Sequence, residues 1–248
     1  MIANKEIGID DIFIVHGLKG YEEREEKLTN LLEKRLGLDF EFVTESADAE
    51  VNNRLIGQYF LPNVREVLST GPLFCTLVHI LCYEKMVARQ SRYALVFEND
   101  VCFIGDFLSK IKGVMEEARS LPEGFIISLE NSTLRFPSIR VTRKGKFLYP
   151  ASIGRCAGAY LIDLTAAQCI LKELAANKCG KVIDWWHNDL IDKGILKMYW
   201  AHPALTEQGS FNGQLQSSIS SRPAGIIRSF RWKVHKFYKM YILRVLKF

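Results

Sequence analysis

The chain has 248 residues, enough for one large domain or two small ones with a sizeable core. Its 48% hydrophobic and 25% charged residues match an ordinary soluble globular protein, which excludes a disordered, collagenous or disulfide-stapled chain. The net charge of +5 is unevenly placed: no acidic residue follows Glu207, the last 41 residues carry eight Lys and Arg, and residues 1–207 sum to −3.

In chain order, Met1 to Asp11 is polar and interrupted by Lys5 and Glu6, so no secretory signal is expected there. No run of about 18 apolar residues predicts a spanning helix anywhere. Asp11–Val15 predicts a buried strand. Tyr21–Leu36 predicts a helix with Leu28, Leu31, Leu32 and Leu36 on one stripe and Gly37 as its stop. A second strand is expected at Phe40–Val43, then loop with a short helix over 44–68. Ser69-Thr70-Gly71-Pro72 starts a helix running to about Gln90, with hydroxyl caps and Pro in the first turn.

Tyr93–Phe97 is the clearest strand and ends in Glu98-Asn99-Asp100. A helix near 106–119 turns Leu108, Ile111, Met115 and Ala118 inward, and Phe125–Leu129 is a further strand. Residues 131–153 read as loops and short strands. Ala157–Ile162 is a strand feeding a helix capped by Thr165 that packs Ala167, Ile170, Leu171 and Leu174 and stops at Gly180. Val182–Lys193 predicts a short helix and Leu196–Trp200 a last strand. Strands alternating with amphipathic helices predict an α/β fold: one domain over 1–225 and a tail over 226–248.

The six cysteines (75, 82, 102, 156, 169, 179) form no C-x-x-C pair and read as buried, reduced thiols of a cytosolic protein. Cys75, His79 and Cys82 share a helix face. Without a fourth ligand at close spacing they read as core packing rather than a zinc site.

Two carboxylates at i and i+2 just past a buried strand are the most chemical feature of the chain. Ligands of open α/β sheets gather at the carboxyl ends of strands, and hard oxygen donors there suit Mg2+ or Mn2+ bridging to phosphates. Taken alone, Glu98 and Asp100 are equally a solvated pair of turn carboxylates.

Their surroundings narrow the choice. Leu68-Ser69-Thr70-Gly71, Cys75, His79 and then Tyr93-Ala94-Leu95-Val96-Phe97-Glu98-Asn99-Asp100-Val101 resemble glycosyltransferase family 25, the lipopolysaccharide (lipooligosaccharide) galactosyltransferase-like family. There a "GE..C..SH" helix leads into a "YALILEDDV" strand. Ile12–Val15 and Arg24 resemble the family's first strand and its Arg-bearing helix. Gly158–Ile162 is similar to its "G..aYlIs" segment, Ile183–Trp186 to "vDww", and Pro203–Ser210 to "P.l..Q.s". The likeness spans about residues 10–220 in the family's order. It departs at Asn99 (the family's middle acid), at Pro72 (commonly Glu), at Val78 (Ser) and at His16-Gly17 (Asn-Leu).

The resemblance implies a GT-A-like domain with a mixed, mostly parallel central sheet flanked by helices. It also implies a nucleotide-sugar donor, a UDP-sugar, with inversion at the anomeric carbon. A divalent ion, Mn2+ or Mg2+, is expected on Glu98 and Asp100, with His202 as a late ligand or a plain loop histidine. Asp184 is the expected acceptor-side base, with Asp189 and Glu207 in reserve and a helix N-cap as its other reading. Trp185 offers a sugar platform. His79, Asn99, Arg155, Gly158 and Gln208 are expected around donor and acceptor, although His79 also reads as core and Gly158 as a tight-packing glycine.

The tail alternates Arg228, Arg231, Lys233, Lys236 and Lys239 with Phe230, Trp232, Phe237, Tyr238 and Tyr241. That is the composition of an amphipathic helix on an anionic membrane. Nucleic acid uses similar ingredients but has no recognised fold here, and docking to a protein partner stays open. The resulting expectation is a family 25 hexosyltransferase moving galactose to a lipopolysaccharide or other lipid-linked glycan from the inner face of the cytoplasmic membrane. The alternative is a catalytically inactive relative that binds through its tail.

Overall fold

A computed structural model describes residues 2–212 and 226–243. The elements are α1 (Ile2–Ile7), β1 (Asp11–Val15), α2 (Glu22–Thr29, continued by a wider π-helical stretch over Asn30–Arg35), β2 (Glu41–Val43), α3 (Ala49–Tyr59), α4 (Val64–Val67) and α5 (Thr70–Arg89). There follow β3 (Tyr93–Glu98), β4 (Val101–Phe103), α6 (Phe107–Ala118), β5 (Phe125–Ser128), β6 (Leu148–Ala151), β7 (Ala159–Asp163) and α7 (Leu164–Asn177). The chain continues through α8 (Ile183–Asp192), β8 (Lys197–Ala201), β9 (Thr206–Gln208), α9 (Gly209–Asn212) and α10 (Ile226–Phe237).

Seven strands form one sheet in the order β2-β1-β3-β7-β5-β8-β6. β2, β1 and β3 are parallel, as are β5 and β8, while β7 and β6 run against their neighbours. Five of the seven strands therefore point one way, and the expected mixed, mostly parallel sheet flanked by helices is the architecture observed.

Successive strand side chains face opposite sides, and both sides are covered. Phe13 and Val15 of β1 and Val96 of β3 pack with Leu77, Ile80 and Tyr83 of α5 and Ile170 of α7. Ile12, Ile14, Leu95 and Phe97 pack with Leu28, Leu32, Ile111 and Met115 on the other face. That two-sided burial is why these strands read as continuous apolar runs.

Several local expectations are corrected. The 44–68 segment holds an 11-residue helix, α3, as well as the single turn α4. Asp48 caps α3 by accepting from Glu50 N at 2.8 Å, and Ile56 and Tyr59 are its buried face. The cap of α7 is Asp163, not Thr165: its carboxylate accepts from Ala166 N at 2.9 Å and also from Gly124 N and Phe125 N. That helix ends at Lys178, with φ 50°, ahead of Gly180. Ser69 occupies the N-cap position of α5, but its hydroxyl makes no capping bond. The β4–β9 pair was not foreseen, and it decides the site. Its register sets Val101 opposite Gln208 and so brings residues 206–210 against the Glu98-Asn99-Asp100 turn.

Candidate active site

The ends of β1 and β3 and the first turn of α5 enclose a cleft of about 450 Å³. Its lining includes His16, Lys19, Tyr21, Thr70, Gly71, Phe74, Cys75, Glu98, Asn99, Asp100 and Ser210. The two parallel strands end side by side there, so the turn after β3 opens at a carboxyl edge of the sheet.

Glu98 is largely buried, with a fifth of its side chain exposed. Its Oε2 accepts from Gln208 Nε2 at 2.9 Å, while Oε1 faces the Cys75 thiol at 3.8 Å. Asp100 is buried; its Oδ2 accepts from Ser210 N at 3.2 Å, and Oδ1 has no hydrogen-bond partner among the described residues. Both carboxyls are pushed up from their ordinary values, chiefly by desolvation, and Asp100 also by the charge of Glu98. Two repelling buried carboxylates with an orphaned oxygen are what a divalent cation relieves, so these residues fit the expected ion. Asn99 turns away from them: its Oδ1 accepts from Arg24 Nη1 at 2.7 Å and its amide lies 3.2 Å from His16 Nδ1.

Behind the pair lies a buried network that the sequence did not single out. Glu130 just past β5 is fully buried, and its carboxyl is pushed up to about 8 by desolvation, with Glu98 and Asp100 adding. It accepts from Gly158 N at 2.7 Å and from the Ser132 hydroxyl. Ser132 Oγ in turn accepts from Gln208 N at 3.0 Å, and Gly158 O accepts from Glu98 N at 2.9 Å. A Cβ on Gly158 would stand 2.1 Å from Gln208 Nε2, so the missing side chain is what lets Gln208 reach Glu98. Gly158 and Gln208 thus position Glu98.

His79 is fully buried on α5, with Nδ1 2.8 Å from Tyr160 OH and Nε2 3.6 Å from Glu98 Oε1. Tyr160, Tyr83 and His187 continue the chain of contacts at 2.6 and 2.9 Å across the core. Burial pulls His79 down to about 3, so its ring is neutral. It is therefore a core histidine and a neighbour of the carboxylates at once.

Asp184 lies in the first turn of α8, not at its cap, which is Val182. It is half-buried, accepts from Trp185 N at 2.9 Å, and is pushed up by desolvation and then by Glu98. Trp185 is 65% exposed. Of the reserves, Asp189 is ion-paired with Lys181 at 2.6 Å and Glu207 with Lys236.

Two expected ligands go elsewhere. Arg155 is fully buried; its Nη2 donates to Ser128 O at 2.7 Å and Ala201 O at 3.1 Å, and its guanidinium sits 5.4 Å over the Trp200 ring. It ties β5 to β8 and is not among the residues that line the cleft. His202 packs between Phe136 and Tyr149, because β8 runs beside β6 and delivers it there. Among the described residues it forms no cluster with Glu98 and Asp100 whose ligand atoms lie within 4.8 Å.

In the tail, Arg231 and Lys233 are exposed and Lys239 is half-buried. Lys236 instead pairs with Glu207, which holds α10 to the globule, and lies 4.9 Å over the ring of Trp232 on the same helix. The side chain of Arg228 lies outside the described residues. No helix among the described residues is long and apolar enough to cross a membrane.

A family model described as "Glycosyltransferase family 25 (LPS biosynthesis protein)" matches residues 10–184. A "Glycosyltransferase 25 family member" of Aedes aegypti is 26% identical over 192 residues, 74% of this chain and 31% of its own. "Probable inactive glycosyltransferase 25 family member 3" of Bos taurus is 25% identical over 228 residues, 88% of this chain and 36% of its own. "Procollagen galactosyltransferase 2" of Homo sapiens is 24% identical over 229 residues, 88% of this chain and 34% of its own. The chain spans about a third of the length of these curated relatives.

Proposed function

The chain belongs to glycosyltransferase family 25, and we propose that it transfers a sugar, galactose, from a UDP-sugar to a lipid-linked glycan with inversion at the anomeric carbon. The observation that carries this is the Glu98–Asp100 pair on the floor of the cleft, with Asp100 Oδ1 buried and without a partner.

The cleft and the residues around it divide the tasks of that reaction. Thr70 and Gly71 open α5 toward the cleft, and no acidic residue stands in its first turn, so backbone N–H groups and the helix dipole favour an anionic diphosphate there. Pro72, where the family commonly has Glu, removes a negative charge from that seat. Phe74 and Val78 give the cleft an apolar wall. A divalent cation on Glu98 and Asp100, Mn2+ or Mg2+, supplies Lewis-acid neutralisation of the departing diphosphate when bound. Gln208, Gly158 and Glu130 keep Glu98 aimed. Asp184 takes the acceptor hydroxyl proton, helped by a carboxyl already more basic than an ordinary aspartate. Trp185 gives the acceptor sugar a stacking face.

The tail supports a peripheral place on an anionic membrane, the inner face of the cytoplasmic membrane. Phe230, Val234, Phe237 and Tyr241 recur at helical spacing and are all more than half exposed. Arg231 and Lys233 flank them.

Turnover of a UDP-sugar panel with Mn2+ tests the transfer. Asp100→Asn should lower it on the order of 100-fold without changing the fold, and undiminished turnover refutes the site. The second reading, an inactive binding protein, is favoured by neutral Asn99 held by Arg24. It predicts UDP binding that Mn2+ does not strengthen.

A further inference from the structure

Cys82 does not complete a metal site with Cys75 and His79; it is fully buried in the α5 core. The fold supplies a different third group. Cys75 Sγ, His79 Nε2 and a Glu98 carboxylate oxygen all lie within 4.8 Å of one another. Glu98 Oε1 is 3.8 Å from the sulfur and 3.6 Å from the ring nitrogen. In a tetrahedral zinc site, bonds of about 2.3 Å to sulfur and 2.0–2.1 Å to nitrogen and oxygen separate neighbouring ligand atoms by roughly 3.3–3.6 Å. The two spacings to Glu98 Oε1 are a few tenths of an ångström from that, and the sulfur and the ring nitrogen lie within 4.8 Å of each other.

Independent features prepare each ligand. His79 Nε2 is fully buried and has no hydrogen-bond partner among the described residues, while Nδ1 is occupied by Tyr160. A metal-bound imidazole donates its other N–H to a fixed acceptor. Here Tyr160 can accept it and pass its own proton contact on to Tyr83 and then His187. Gln208 holds Glu98 Oε2, which leaves Oε1 for the cluster. Cys75 and Glu98 both line the cleft, so an ion has a way in, and the cleft side supplies a fourth position. Burial disfavours the charged form of all three groups when each stands alone. One thiolate and one carboxylate around a dication make a neutral complex that burial tolerates.

We infer that Cys75, His79 and Glu98 form a soft divalent-cation site for Zn2+, sharing Glu98 with the Glu98–Asp100 pair. On binding, the Cys75 S–H bond breaks, a Zn–S bond forms and the proton leaves to solvent; no oxidation occurs. Zinc in this site takes Glu98 away from Asp100, so Zn2+ inhibits transfer in competition with Mn2+. The inhibition rests on the sugar-transfer reading, whereas the binding does not.

The test titrates the reduced, metal-stripped full chain with Co2+ and then with Zn2+. One Co2+ per chain should bind with a thiolate-to-cobalt charge-transfer band, and Zn2+ should bleach it. Cys75→Ser should abolish the band and weaken Zn2+ by about 10-fold or more, while Cys169→Ser should keep both. Asp100→Asn should keep the band and lose Mn2+-dependent turnover, so the two readings fail separately. Cobalt binding without the band, or a Cys75→Ser chain that binds like the parent, overturns the site. A band with turnover that zinc does not inhibit overturns the competition.

Discussion

Replacing Glu130 by Gln removes the ionisable group from the network behind Glu98 while keeping its shape. The Gln carbonyl still accepts from Gly158 N, and its amide takes the place of the oxygen that accepts from the Ser132 hydroxyl. The wild-type carboxyl sits at about 8, against an ordinary value of 4.5. A folded-state value raised in this way makes the folded chain the tighter proton binder. The resulting stability is fully present below about pH 4.5 and is lost as pH rises through 8. For one proton on a group at about 8, the wild type loses roughly 1 kcal/mol between pH 7 and pH 9, and roughly 3 kcal/mol from pH 6. Glu130 is fully buried, so little solvent screening reduces that figure. Urea unfolding of both chains from pH 6 to 9 reads the difference, because every other titration is common to the two. The wild-type midpoint should fall relative to the variant's from pH 6 up to about pH 8 and level off beyond it. Parallel curves would show that Glu130 is not the proton binder and refute the reasoning.

Gly158→Ala should cost about 1–3 kcal/mol by overpacking and break the Gln208–Glu98 contact; a thermal melt and Mn2+-dependent UDP binding check it, and indifference of both counts against the positioning role. A base must be deprotonated, so the acid limb of kcat/KM should lie above the ordinary aspartate value of 3.8. Asp184→Asn should remove that limb and lower kcat on the order of 100-fold; a limb that survives in the variant moves the base elsewhere. Replacing Phe230, Phe237 and Tyr241 together by Ser should release the chain from anionic vesicles in a sedimentation assay, and raised salt should weaken the parent, since each basic residue near the surface contributes about 1 kcal/mol. Retention of the triple variant refutes the membrane reading.

Six of the seven strands of the central sheet are legible as short apolar runs closed by polar residues, whereas β6, with Pro150 exposed at the sheet edge, stays merged in the 131–153 loops. The long α5 helix was legible from its start signal and its apolar density. The 44–68 segment was harder: α3 carries Asn52, Asn53 and Arg54 between its apolar positions, and its cap, Asp48, lies among other polar residues. Thr165 reads as the cap of α7 because it is a hydroxyl near a helix start, whereas Asp163 at the strand end accepts from three backbone N–H groups.

By itself the sequence determined the α/β class, the strand that ends in Glu98 and Asp100, and the separation of an acidic globule from a basic aromatic tail. Those are local properties: periodicity names a buried face, and charge adds up residue by residue. Which groups meet on that face was decided only by the tertiary structure. The β4–β9 pairing carries Gln208 to Glu98, and the bend after β5 buries Glu130 behind it. The same folding replaces Cys82 by Glu98 beside Cys75 and His79, and draws Arg155 and His202 into packing away from the cleft. A helix face specifies what will be covered; the partner that covers it comes from a strand far away in the chain.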